Sequence, residues 1–249
     1  MEILHNISLA DYTTLKIGGI VRNFYIVRNL VELKQVSSLD HARVLGSGSN
    51  ILVNDGKLDF DIIKLDGDFK KNTIKNGKIS VGAGASLAKV LQETAHAGLS
   101  GLEIFAGIPG TVGGAVFGEI STKYGKISDY IVAVNVIDGI IVEVEFCLKK
   151  AEPQKIKEAI KKNLIEKVAS QPYGKNTAGC VFRNKQGVSS GMLIDQAGLK
   201  GRQIGKVKIS CKHANFFIAD HGASFKDFLA LVEDVKIRLN LETEIQIWK

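Results

Sequence analysis

Short runs of β-branched and aliphatic residues, broken by glycine, asparagine or aspartate, dominate the first half of the chain and read as strands. They fall at Asn23 to Val27, His41 to Leu45, Ile51 to Val53, Ile62 to Leu65 and Lys78 to Val81. Two stretches switch to a helical period. In Asn29 to Leu39 the apolar positions Leu30, Leu33 and Val36 follow a polar cap. In Ser86 to Ala97, Leu87, Val90, Leu91 and Thr94 share a face, with Ser86 as cap and Gly98 as stop. Ile131 to Ile137 and Ile140 to Leu148 read as a hairpin turned at Asp138-Gly139. Past it, Glu152 to Lys167 carries Ile156, Ile160 and Leu164 among many lysines, a solvent-facing amphipathic helix that marks entry to a second lobe. A helix over Ser224 to Leu239, capped by Ser224, and a strand over Thr243 to Trp248 close the pattern.

A length of 249 residues favours two domains, which the composition shift places at 1–150 and 151–249. Hydrophobic residues at 45% and charged residues at 24% give enough apolar surface for folded cores. The N-terminal stretch has no basic-then-apolar secretion pattern. The most apolar segment, Tyr130 to Cys147, is broken by Asn135, Asp138, Glu143 and Glu145, so no membrane span is expected. Cys147, Cys180 and Cys211 lack metal-ligand spacing and are odd in number, which suits a reducing cytoplasm and no metal. The net charge of +7 suits anionic partners such as diphosphates. Nucleic acid is disfavoured, because the lysines are dispersed and no recognition pattern appears.

Two glycine-rich segments carry the candidate chemistry. Gly46-Ser47-Gly48-Ser49-Asn50 lies between two predicted strands, where bare backbone lets N–H groups converge on an anion; a tight structural turn is the alternative. No dinucleotide fingerprint is present, since this loop leads into a strand and Gly82-Ala83-Gly84-Ala85-Ser86-Leu87 lacks the third glycine. Ala106-Gly107-Ile108-Pro109-Gly110-Thr111-Val112-Gly113-Gly114-Ala115 buries too little to be a core element on its own merits, which points to close approach by a flat ring or a pyrophosphate; a merely structural crossing is the alternative. His213 has no partner histidines at ligand spacing, and a structural role is expected for it.

The order and spacing of several motifs resemble the UDP-N-acetylenolpyruvoylglucosamine reductase family. They are Thr14 to Gly19, Leu45 to Asn50, Gly98 to Glu103 running into Ala106 to Ala115, Thr177 to Asn184, Gly191 to Gly201, Lys212 to Phe216 and Leu241 to Ile245, nearly the whole chain. The resemblance implies an α+β protein, with an FAD-binding domain of the vanillyl-alcohol-oxidase (PCMH) type followed by a smaller α+β substrate domain. It implies FAD as cofactor, NADPH as co-substrate, a UDP-sugar as substrate, peptidoglycan synthesis as the setting and a monomer. By carry-over, Gly46, Ser47, Gly48, Ser49 and Asn50 hold the FAD diphosphate, and Gly107, Ile108, Gly110, Gly113 and Gly114 line the flavin. The family's proton donor is usually serine and the matching position here is Cys180. Glu244 matches a carboxylate beside the substrate, and Asn184 a substrate contact.

The same resemblance marks departures. The family's Tyr-Arg-x-Ser segment, whose arginine stabilises the developing enolate, is replaced by a direct passage through Asp138-Gly139. Its lysine before Pro172 aligns with Ser170, with Lys167 nearby as a replacement for the substrate contact. Glu119 and Ser121 stand where the family prefers asparagine and glycine. The alternative function these imply is a flavin-binding homologue with weak or lost catalysis.

Overall fold

The computed structural model describes residues 1–249 and builds a strand at each glycine-punctuated run. In chain order the strands are β1 (Glu2–Ser8), β2 (Ile20–Val27), β3 (Ala42–Val44), β4 (Ile51–Val53), β5 (Asp61–Leu65), β6 (Asn72–Lys75), β7 (Lys78–Gly82), β8 (Ile131–Ile137) and β9 (Ile140–Cys147). Among them lie the helices α1 (Leu30–Val36), α2 (Leu87–His96) and α3 (Val112–Phe117). The later part holds α4 (Pro153–Ser170), α5 (Ser190–Gln196), β10 (Gln203–Ile204), β11 (Val207–Ile209), β12 (Phe217–Ala219), α6 (Phe225–Leu239) and β13 (Gln246–Trp248).

Contacts gather the chain into two units. The first comprises Met1–His5, Asn23–Ser47 and Phe60–Lys167; the second comprises Asn6–Arg22, Gly48–Asp59 and Val168–Lys249. Helix α4, expected to open the second lobe, therefore belongs to the first unit as far as Lys167.

In the first unit β5 runs parallel to both β2 and β3, so the carboxyl ends of β3 and β5 point the same way and the Gly46 loop leaves from that end. A second sheet, ordered β8-β9-β7-β6, is antiparallel throughout. Its hairpin turns at Asp138 (φ 49°) and Gly139 (φ 79°), the pair of positive angles that a two-residue turn of matching twist requires. Ile79, Val81, Val144 and Phe146 of this sheet share a fully buried cluster with Val90 and Leu91 of α2 and with Phe105. Burial of each such side chain contributes about 1.5–3 kcal/mol, which fixes α2 against the sheet. Ser86 stands at the cap position of α2 with extended backbone, but its side chain makes no capping hydrogen bond, so packing rather than the cap holds that end.

The second unit is built on α6, whose Phe228, Leu231, Val232 and Val235 are buried against Phe182, Phe217 and Leu52. Ser224 caps α6 by accepting from the Asp227 N–H at 3.1 Å, as its sequence position implies. Strands β10, β11 and β12 form a small antiparallel sheet. The closing strand is shorter than expected: β13 pairs in parallel with β4, Gln246 opposite Ile51, while Thr243 bridges to Phe182.

Candidate active site

Within the glycine-rich segment after Phe105, Val112–Phe117 forms the short helix α3. Thr111 caps it by accepting from the Gly114 N–H at 3.2 Å, and Val112 and Ala115 are buried beneath it. Main-chain bonds tie the segment to the loop before α2. Leu87 donates to the Gly110 carbonyl at 3.0 Å, Val112 to Ala85 at 2.9 Å and Gly113 to Ala83 at 2.8 Å.

The glycines of the two loops separate by what a β-carbon would meet. At Gly113 it would lie 2.8 Å from the Ala83 β-carbon, so this glycine serves close packing of α3. At Gly46 it would lie 2.8 Å from the Thr111 hydroxyl, which places the Gly46 loop directly against the start of α3. Gly48, in the second unit, is buried with φ 62° under the Tyr12 carbonyl, and its own carbonyl accepts from the Thr14 N–H at 3.0 Å. Gly107 (φ 78°) packs on Leu164 and Lys167. Gly114 is different: it is exposed, and apart from Thr111 nothing approaches it. Ile108 is half-buried beside Phe105, to whose carbonyl its N–H donates.

This arrangement fits a flavin nucleotide. The N–H groups of Gly46 and Ser47 find no acceptor within the chain, and Gly114 leaves a helix face bare to a flat ring. Lys64, which sequence reasoning missed, donates from its ammonium to the Gly46 carbonyl at 2.7 Å. The only trace of it in the sequence is one charge in an apolar run.

In the second unit Cys180 and Glu244 flank the same short stretch of extended chain. Cys180 bridges to Phe216, Phe182 bridges to Thr243, and the Glu244 N–H donates to the Val181 carbonyl at 2.8 Å. Asn215, 2% exposed, clamps this stretch: its side-chain oxygen accepts from the Phe182 N–H at 2.9 Å and its amide donates to the Phe182 carbonyl at 2.7 Å. Burial pushes the Cys180 thiol up to about 12, the Glu244 charge adds to the rise, and a hydrogen bond with Asn215 opposes it. Glu244 is exposed as a residue, but loss of hydration around its carboxyl raises it, against the pull of Arg183. Two neighbouring acids are thus held toward their protonated forms.

Asn184 is exposed and its side-chain oxygen accepts from the Ser190 N–H at 3.1 Å at the start of α5, so part of its polarity is used locally. Its donor side makes no bond within the chain. Asn50 donates to the Glu244 carbonyl at 3.4 Å. Ser47 is exposed and Ser49 half-buried. Lys167, at the end of the first unit, has a buried ammonium without a hydrogen-bond partner, and burial lowers it to about 8. His213 is half-buried, packs edge-on to Phe216 at 4.7 Å and accepts from the Asn215 N–H at 3.3 Å, a supporting position for the clamp. Glu119 is exposed, with the Ser128 hydroxyl 3.4 Å from its carboxylate.

Residues 30–144 match the family described as an FAD binding domain, and residues 171–248 match the C-terminal domain of UDP-N-acetylenolpyruvoylglucosamine reductase. Fold and site together define an FAD-dependent oxidoreductase of α+β architecture. The reductase of that name from Thermus thermophilus is 38% identical over 268 residues, covering 98% of this chain and 99% of its own. The one from Halalkalibacterium halodurans is 36% identical over 283 residues, covering 99% and 94%. The crystal structure of the Thermus caldophilus reductase superposes with a TM-score of 0.89 at 36% identity, covering 100% of this chain and 98% of that one. The chain belongs to the UDP-N-acetylenolpyruvoylglucosamine reductase family. The Halalkalibacterium alignment spans 283 positions against a chain of 249, so that relative carries residues with no counterpart here. No helix is long and apolar enough to cross a membrane.

Proposed function

We propose that the chain catalyses the NADPH-dependent, FAD-mediated reduction of UDP-N-acetylglucosamine enolpyruvate to UDP-N-acetylmuramate for peptidoglycan synthesis, as a monomer in the cytoplasm. Residues 1–150 are assigned to the flavin and 151–249 to the sugar nucleotide. When bound, FAD supplies the hydride carrier between NADPH and the vinyl carbon of the substrate. Gly46, Ser47, Gly48, Ser49 and Asn50 present main-chain and side-chain donors to its diphosphate, and Gly107, Ile108, Gly110, Gly113 and Gly114 shape the bed of the ring.

Cys180 then donates its proton to the carbon next to the one that receives hydride. A thiol raised to about 12 stays protonated at neutral pH, which is the state a proton donor must be in before the step. Glu244, itself raised, returns a proton to Cys180 after turnover and tightens its orientation. Asn215 keeps both aligned through Phe182. Asn184 contributes its free amide N–H groups to the sugar nucleotide, and Lys167 contributes a cation whose present isolation is relieved by an anion. The observation that carries this reading is the grouping of half-buried Cys180 with Glu244 on bridged extended segments that the buried Asn215 clamps.

The test is in two halves. Anaerobic NADPH is expected to bleach the protein-bound flavin, and the enolpyruvyl sugar nucleotide to restore its colour; flavin that is reduced but never restored by the sugar defeats the assignment. One observation favours a second reading, a flavin-binding homologue with weak or lost catalysis. The β8–β9 hairpin closes in two residues, leaving no room there for a segment bearing the enolate-stabilising arginine. Loss of such a partner commonly costs about 10²- to 10³-fold in rate. Sugar-nucleotide binding without recolouring is the outcome that reading expects.

A further inference from the structure

Lys64 has no role in any motif above, yet its setting is unusual. It sits on β5, the strand shared by β2 and β3, at a half-buried position one residue short of that strand's carboxyl end. A lysine here gives up much of its hydration, and desolvation lowers it from its ordinary range. No carboxylate lies within ion-pair distance. The nearest acidic group that influences it, Asp66, is already paired with Lys70 at 2.8 Å. Of the three ammonium protons, one goes to the Gly46 carbonyl at 2.7 Å and none to another protein acceptor.

That carbonyl belongs to the loop whose Gly46 and Ser47 N–H groups are unpartnered in the chain. A half-buried cation without a counter-charge is costly, and here it is fastened beneath a ready-made anion cradle at the carboxyl end of a parallel strand pair. We propose that Lys64 is the charge-compensating residue of the diphosphate site: it orients the Gly46 loop through the carbonyl and supplies the positive charge that balances the diphosphate of the bound dinucleotide. This rests on the reading of the Gly46 to Asn50 loop as the diphosphate cradle.

The experiment titrates apo-protein with FAD, following flavin fluorescence at several ionic strengths, for the wild type, Lys64→Met and Lys64→Arg. ADP, which carries the same diphosphate without the ring, serves as competitor. Lys64→Met is expected to weaken FAD and ADP together by about 10- to 100-fold, the scale of one charge pair lost from a partly shielded site, and to flatten the salt dependence. Lys64→Arg is expected to stay within about 3-fold of the wild type, since the charge is kept. The melting temperature of the apo Met variant is expected to equal or exceed that of the wild type, because a desolvated charge has been removed. If the Met variant fails to fold, Lys64→Gln, which can still donate to the Gly46 carbonyl, replaces it with the same expected loss. Unchanged FAD and ADP affinity with an unchanged salt slope overturns the role of Lys64 and leaves the flavin reading standing. A wild-type protein that takes up no FAD overturns the cradle itself.

Discussion

Replacing Gly114 and Gly113 with alanine, one at a time, separates what the glycine bed does for the fold from what it does for the ligand. A β-carbon at Gly113 would stand 2.8 Å from that of Ala83 and 3.1 Å from its carbonyl oxygen. Overpacking of this kind costs about 1–3 kcal/mol, which for a chain of this size lowers the melting temperature by about 2–10 °C. At Gly114 the added carbon meets only the Thr111 hydroxyl at 3.2 Å, a contact that a small shift relieves. Alanine also gains about 0.5–1 kcal/mol over glycine inside a helix, so the two effects nearly cancel. The apo Gly114→Ala protein is therefore expected to melt within about 2 °C of the wild type. Its affinity for FAD is expected to fall by about 10- to 100-fold, because a methyl group pushes into the space proposed for the ring. Differential scanning fluorimetry of apo-protein and a flavin titration measure the two quantities separately. Wild-type FAD affinity in Gly114→Ala would falsify the bed at α3, however well the rest of the site performs.

Four further outcomes are expected. Cys180→Ala should leave flavin reduction by NADPH intact and slow sugar reduction by about 10²-fold or more, read by stopped-flow absorbance; equal sugar reduction removes the thiol from the mechanism. Raising Cys180 to about 12 leaves about one molecule in 10⁴ as thiolate at pH 8, so iodoacetamide should label the exposed Cys147 and Cys211 long before it. In Glu244→Gln the neighbouring charge is gone and the thiol should become more acidic; mass spectrometry showing slower rather than faster labelling of Cys180 contradicts the pairing. Lys167, near 8 when folded and about 10.5 when free, binds its proton more weakly in the native state, so its burial penalty is full below pH 8 and disappears as pH rises towards 10.5. Wild-type stability should accordingly gain on that of Lys167→Met over this window in chemical denaturation, and sugar-nucleotide affinity should drop above pH 8 in the wild type alone.

How much of this was readable from the sequence differs by kind of signal. The hairpin at Asp138-Gly139 was readable because both residues tolerate positive φ and sit between two predominantly β-branched and aliphatic runs. Helix α3 was not, because Gly113 and Gly114 have poor helix propensity; a Thr111 cap and burial of Val112 and Ala115 override it. Strands β10 to β12 span two or three residues each, too few for an alternating pattern to show. Among candidate site residues, Cys180, Glu244, Asn184 and the glycines came from motif order, whereas Lys64 and Asn215 required knowing which carbonyl or strand each one touches.

A cysteine at position 180, where the resemblance expects a serine, gains a physical meaning from its surroundings. A thiol in water would be partly ionised near neutral pH and a poor store of a proton; an alcohol would never ionise there, but would part with its proton reluctantly. Burial of Cys180, together with the Glu244 charge, lifts the thiol toward the alcohol's behaviour while leaving it the more acidic of the two. Desolvation acts on whichever anion would form, so the surroundings that keep the Cys180 thiol protonated would act on a serine at this position in the same direction. Asn215 then supplies the opposing hydrogen bond, which is most valuable at the moment charge appears on sulfur. The clamp and the proposed proton donor are for this reason one device, and a change that loosens Phe182 is expected to act on chemistry through the thiol rather than through substrate binding.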